Sequence, residues 1–121
     1  MFIGGPGMMF DYSLCNQTVT LYRFRNGKVH RQVVENGFYT WQVGMVSDET
    51  GTRQETLCTL ILPGRHDLLP GDRVYDGVGP QITQAQWSGF IPVAISGLSE
   101  LNYVRPCFWQ GKICHTEAGR K

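Results

Sequence analysis

The sequence predicts an all-β protein: a small antiparallel β-barrel or sandwich with an extended N-terminal arm and a long loop rich in Gly and Pro. Three observations predict this class: short alternating apolar segments, frequent Gly and Pro between them, and few helix signals. With 121 residues, 15 of them Gly, the chain has the length of one domain with one core. We therefore divide it into an arm, residues 1–16, and a single β-barrel domain, residues 17–121.

The N-terminal arm has no periodic pattern. Residues 1–6 contain adjacent glycines and a proline, and the apolar residues Met8, Met9 and Phe10 follow shortly after. Arms of this kind are commonly ordered by a partner, so we predict that these three side chains contact another subunit. A frayed terminus without a role would have the same pattern, and both interpretations stay open.

The first strands are predicted from alternating residues and Asn-Gly pairs. Apolar and polar residues alternate on both sides of Asn26-Gly27, and Asn-Gly favours a two-residue type I′ turn because both of its central residues need positive φ. A second pair, Asn36-Gly37, predicts another turn before a strand that starts at Phe38. The polar stretch Ser47 to Thr52 predicts the next reversal of the chain.

The middle of the chain predicts one long and one short strand. Residues 55–62 are apolar on both faces, which is typical of a central or closed-barrel strand. Pro63-Gly64 ends this strand, and Arg73 to Asp76 forms a short strand. Residues 77–96 predict a structured loop with a short helix, Thr83 to Phe90, capped by Thr83.

The tail returns to β-structure. Three short strands complete the prediction: Leu101 to Arg105, Cys107 to Trp109 and Lys112 to Thr116. We expect a turn or kink at Pro106 and a tight turn at Gln110-Gly111.

Charge argues against electrostatic binding of nucleic acid. The formal net charge is +1, and charged residues make up 17% of the chain, below roughly 25% in a typical globular domain. Part of the surface is therefore expected to meet another protein. We interpret the basic cluster Arg23, Arg25, Lys28 and Arg31 as the solvated face of a hairpin, because a nucleic-acid-binding protein typically carries a longer basic stripe.

The sharpest chemical motif is Cys107-x6-Cys114-His115. Zinc sites usually pair ligands a few residues apart, as in C-x2-C, and adjacent strand residues point to opposite faces. Further zinc ligands would have to come from His30, His66, Cys15 and Cys58. A Cys–His nucleophile pair would need Cys58 or Cys114 beside His30 or His66. A disulfide between Cys107 and Cys114 is geometrically conceivable. We expect reduced free thiols in a reducing compartment, with no catalytic residue, no metal and no cofactor.

Aromatic residues indicate a protein interface. Trp87, Phe90 and Pro92 lie in the predicted loop, and exposed loop aromatics often anchor binding. We predict these three as interface residues. Strand aromatics could also form a base-stacking platform, but neutral surroundings favour core and interface roles for them; these are Tyr39, Trp41, Phe108 and Trp109.

Three segments carry a resemblance to a known family. They are Phe10 to Thr20, Gly71-Asp72 and Trp109 to Gly119, of which His115 to Gly119 is the most specific. From Met9 onward the chain is similar to the minor capsid protein family of long-tailed phages, and small β-barrels of this kind are similar to head-completion, or stopper, proteins.

The resemblance implies a structural role in the virion neck. By this resemblance the chain forms a homo-oligomeric ring below the portal and adaptor, meets tail-completion proteins, contacts packaged DNA passively, has no membrane partner, and is in the host cytoplasm before assembly. The arm and residues 64–90 would supply the contacts. Two alternatives stay open: another virion β-barrel (tail tube, tail completion or capsid decoration), and an OB-like module that binds single-stranded nucleic acid.

Overall fold

A computed structural model describes residues 12–121, which form an antiparallel sheet of seven strands. The strands are β1 (Gln17–Arg25), β2 (Lys28–Asp48), β3 (Gly51–Pro63), β4 (Arg73–Asp76), β5 (Leu98–Glu100), β6 (Tyr103–Trp109) and β7 (Lys112–Arg120). Two short 3₁₀-helices, Tyr12–Leu14 and Gln84–Gly89, lie outside the sheet. The strand order is β5-β4-β1-β2-β3-β7-β6. The all-β class is thus confirmed, with an open sheet.

Strand β2 joins the two halves of the sheet, and the turn predicted at Asn36-Gly37 is wrong. Residues 28–34 and Gly37 pair with β1, and residues 38–48 pair with β3. The chain passes straight through Asn36-Gly37 as it changes partner. Gly37 lets the chain pack closely here, since a Cβ would make tight contacts at 3.2 Å from Leu62 Cδ2 and 3.4 Å from Val19 Cγ2.

The other predicted reversals at Gly-containing turns are confirmed. Asn26 and Gly27 have φ of 53° and 74°, and Gln110 and Gly111 have φ of 52° and 78°, as a type I′ turn requires. Gly51, with φ of 121°, follows the turn between β2 and β3.

Pro106 makes no turn, contrary to the prediction. Strand β6 runs through Pro106, and its register shifts between Cys107 and Phe108 instead. β6 is the outermost strand of the sheet, where a proline without an N–H is tolerated.

The remaining elements follow the prediction closely. β4 has the predicted bounds, and β3 is central, with β2 and β7 on either side. Thr83 is the N-cap of the second 3₁₀-helix, and its backbone N–H donates to Gln86 Oε1 at 2.9 Å. The three-residue strand β5 was not predicted, and β6 begins at Tyr103 rather than at Leu101.

The core lies on both faces of β1. Side chains of Val19 and Leu21 join an inner cluster with residues of β3, whereas Tyr22 joins Phe90 and Leu98 in a second cluster under the loop 77–97. β5 folds over β3 and β7, and Ser99 Oγ donates to the Thr56 carbonyl at 3.0 Å. The long loop is therefore part of the core packing.

Candidate interaction surface

The basic cluster of the first hairpin holds the loops on both sides of β4, residues 64–72 and residues 77–97. Arg23 Nε donates to the Asp67 carbonyl at 2.6 Å. Arg31 donates to the Gly79 carbonyl through Nε at 2.9 Å and Nη2 at 2.6 Å. Lys28 is exposed, as expected for the solvated face of a hairpin. The arginines of the cluster instead bind these two loops.

Asp72 is the best buried of these loop anchors. Its carboxylate accepts hydrogen bonds from Arg25 Nη1 at 2.7 Å and Nη2 at 2.8 Å, and from the Leu69 backbone N–H at 2.8 Å. The Asp72 carbonyl also accepts from the Leu101 N–H at 2.8 Å. Asp72 thus ties the turn before β4 to β1 and to the end of β5, which explains why Gly-Asp occurs there.

Trp87 and Phe90, predicted as interface residues, pack within the chain. Arg73 Nη1 donates to the carbonyls of both residues at 2.6 Å, and its guanidinium lies 3.7 Å from the Trp87 ring centroid. Trp87 also stacks on Phe24, while Phe90 is 4% exposed and lies edge-on to Tyr22. Both rings stabilise the loop.

Pro92, the third predicted loop residue, lines an open groove. The groove has a volume of about 310 Å³ and separates the loop 92–97 from strands β2 and β3. Its apolar lining residues are Trp41, Val43, Pro92, Val93 and Ala94. Val43 is 55% exposed and Val93 is 79% exposed, so the groove offers apolar surface to a partner.

The groove borders a hairpin that projects from the sheet. β7 pairs with β3 only from Cys58 to Pro63, whereas β2 and β3 continue to pair as far as Asp48 and Gly51. Within the described residues, no third strand pairs with the segment 42–57 in the sheet, and β5 packs over it at Thr56. Seven cross-strand pairs at 3.3 Å per residue make this projection about 20 Å long. We call it the distal hairpin.

One face of the distal hairpin continues the core face of β2. Tyr39 is 2% exposed and Trp41 is partly buried, but Val43 and Met45 on the same face are 55% and 65% exposed. Residues two apart in a strand share a face. We did not predict Val43 and Met45 as surface residues, because apolar residues that alternate along a strand also predict a buried core face.

Ion pairs stiffen the same hairpin. Arg53 bonds to Asp48, and its Nε lies 2.7 Å from Glu55 Oε2; Arg120 Nε reaches Glu55 Oε1 at 2.9 Å. The hydrogen bond from Arg120, together with Arg53, holds the pKa of Glu55 below its ordinary value. The Glu55 carboxylate is thus an ionised partner of two guanidinium groups, which balance its charge.

The β6–β7 hairpin projects from the opposite end of the sheet. The last pair between β3 and β7 is Pro63 with His115, so Lys112 to Cys114 extend beyond β3. Phe108 is 62% exposed on this hairpin, and the Arg105 side chain is 64% exposed. Tyr12 is attached here, with its hydroxyl 2.5 Å from His115 Nδ1. The predicted contact residues Met8, Met9 and Phe10 lie outside the described residues.

The Cys-His motif forms no metal cluster in the described part of the chain. Cys107 lies opposite His115 across the β6–β7 pair. None of the four cysteines, which all lie within residues 12–121, forms a disulfide, and this range contains no group of three or more metal-ligating side chains. Burial raises the pKa of the Cys58 and Cys107 thiols, so both are protonated and weakly nucleophilic at neutral pH.

Comparison with known proteins gives no match: no protein-family model, no curated protein and no solved structure matches this chain. Among residues 12–121, no helix is long and apolar enough to cross a membrane.

Proposed function

We propose that this chain is a structural virion protein of the head–tail connector of a long-tailed phage. In this role it forms a ring below the portal and adaptor, closes the head, helps retain DNA and joins the tail. The observation that carries the proposal is the distal hairpin, whose apolar residues Val43 and Met45 are 55% and 65% exposed. The resemblance of the chain from Met9 onward to minor capsid proteins supplies the setting.

The packing of the loop supports a building-block role. Arg25, Arg31 and Arg73 bond carboxylate or carbonyl groups of the segment 72–90. A subunit whose long loop is fixed in this way presents a constant shape to its neighbours, so less conformational entropy is lost on assembly.

The OB-like alternative finds less support. Tyr39 is 2% exposed, and Trp41 Nε1 donates to Asp76 Oδ2 at 3.0 Å. A carboxylate beside the indole repels phosphate, and the arginines of the first hairpin are occupied by the loop. These two observations disfavour base stacking on Tyr39 and Trp41, and in our proposal contact with packaged DNA is passive.

The test is the copy number of the chain in purified virions, measured by quantitative mass spectrometry. Portal and major capsid proteins serve as internal references. A copy number equal to that of the portal protein supports a neck ring. A copy number many times that of the portal assigns the chain to the tail tube or the capsid surface, and absence from both virions and tail-less heads overturns the virion role.

A further inference from the structure

We propose that copies of this chain associate head to tail through two different hairpins. The distal hairpin of one copy receives the β6–β7 hairpin of the next, and Phe108 enters the groove beside Val43 and Pro92. This inference deepens the proposed function and rests on it for the setting in which the contact is used.

The offset of the strands places the two hairpins at opposite ends. β3 and β7 are antiparallel and pair only over residues 58–63 and 115–120. β3 therefore extends beyond this shared region towards Gly51, while β7 extends in the other direction towards Lys112. Surfaces at opposite ends of one subunit cannot meet each other within that subunit, but they can meet between successive copies.

The two surfaces match in shape and polarity. The groove at the distal hairpin is about 310 Å³ and is lined by Trp41, Val43 and Pro92 among others, which is room for an aromatic side chain. Phe108, 62% exposed, is the large hydrophobic side chain that the β6–β7 hairpin exposes at the other end. Buried aromatic anchors in such pockets dominate the energetics of protein interfaces.

The charges of the two hairpins are opposite. In the distal hairpin, residues 42–57, the acidic Asp48 and Glu55 pair with Arg53 and Arg120, which leaves Glu49 as the acidic group at the tip. The β6–β7 hairpin, residues 103–115, carries Arg105 and Lys112 and no acidic residue. Arg105 also reaches Glu117 at 2.5 Å, which leaves Lys112 as the basic group nearest the tip. Complementary charges select the orientation of the partner.

A contact between two different surfaces is heterologous. Such contacts do not end at a dimer, because each added copy leaves one free surface at each end. Successive copies therefore form a closed ring or an open filament. A closed ring forms when the rotations between successive copies add up to one full turn, so this contact provides a physical route to the proposed ring.

The experiment uses two variants of the full chain, each lacking one surface. Val43→Asp/Met45→Asp disrupts the distal hairpin, and Phe108→Asp disrupts the β6–β7 hairpin. In analytical ultracentrifugation, we expect the wild type to form oligomers larger than a dimer and each variant to be a monomer. An equal mixture of the two variants should give a 1:1 dimer that grows no further, because one intact contact remains. Val78→Asp, at a site 67% exposed outside both hairpins, is the matched control and should assemble like the wild type.

Several results would overturn the inference. The first is a wild type that stays monomeric at about 1 mM, because a contact with a dissociation constant of about 1 mM is roughly half occupied at that concentration. The second is a mixture of the two variants that forms no dimer. The third is loss of assembly in Val78→Asp. Far-UV circular dichroism verifies that the variants are folded. If removal of residues 1–11 abolishes association while Phe108→Asp does not, the arm fills the groove and the inference is wrong.

The proposed function and this contact can fail separately. If the purified chain assembles by the mixing test but virions lack it, the connector role is wrong and the contact stands. If virions contain it at the portal copy number but the mixed variants form no dimer, the connector role stands and the contact is wrong.

Discussion

Replacing Asp72 by Ala should destabilise the fold by about 3 kcal/mol. The Asp72 side chain is 3% exposed and accepts three hydrogen bonds, two from Arg25 and one from the Leu69 N–H. Removing the carboxylate leaves both donors without their acceptor. Arg25 is 27% exposed and regains water, so the cost lies at the lower end of the roughly 3–5 kcal/mol for breaking a buried ion pair.

Two companion variants separate the charge from the hydrogen bonds. Asp72→Asn keeps an acceptor for Leu69 and should cost roughly half as much as Asp72→Ala. Arg25→Ala/Asp72→Ala should cost less than the sum of the single variants, by about 1–2 kcal/mol, because both singles break the same pair.

The measurement is urea unfolding followed by tryptophan fluorescence, with the m-value as a check that unfolding stays two-state. Arg53→Ala is the control, since its ion pair with Asp48 is at the surface, and it should leave the midpoint nearly unchanged. A value for Asp72→Ala within 1 kcal/mol of the wild type, or strict additivity in the double variant, would refute the claim that this pair holds the loop.

Two further predictions concern packing and pH. Gly119→Ala should lower the free energy of unfolding by roughly 1–3 kcal/mol, because the new Cβ would lie 2.3 Å from the Cys58 carbonyl oxygen. The control is Gly89→Ala, whose Cβ would have no atom within 4 Å. This control should leave the urea midpoint unchanged. Burial lowers the pKa of His66 and His115, so the unfolded chain takes up protons first as the pH falls through about 6.5. Stability should therefore decrease from about pH 7.5 to about pH 5.5, and His66→Gln/His115→Gln should flatten that slope; an unchanged slope in the double variant would contradict this assignment.

The two Asn-Gly pairs show where local sequence decides and where it does not. Asn26-Gly27 is a turn because both residues adopt positive φ and the strands on either side pair with each other. Asn36-Gly37 has the same residues, but β1 and β3 pair with the segments before and after it. Long-range pairing overrides the local preference for a turn, and the choice depends on residues outside any local window.

The candidate surface was harder to predict than the strands for the same reason. Nothing near Arg25 in the sequence indicates Asp72, which is 47 residues away. Trp87 and Phe90 are large aromatic residues in a loop, which is typical of exposed interface anchors. The buried Arg73 instead binds their carbonyls, and both rings pack within the chain. Whether an aromatic side chain in a loop is exposed or buried therefore depends on the side chains of the sheet below it.

Val43 and Met45 show that an alternating apolar pattern alone does not separate buried residues from exposed ones. Their alternation is continuous with Tyr39, and the covering of that face ends between Thr56, which is 7% exposed, and the exposed Gln54. Buried and exposed apolar residues thus share one period-two pattern, and they differ only in how far β5 and β7 extend over that face. Apolar area left in water gains about 25 cal/mol per Å² when it is covered. The chain therefore leaves apolar area uncovered at the end of the sheet where its own covering strands stop, and the proposed contact would bury that area.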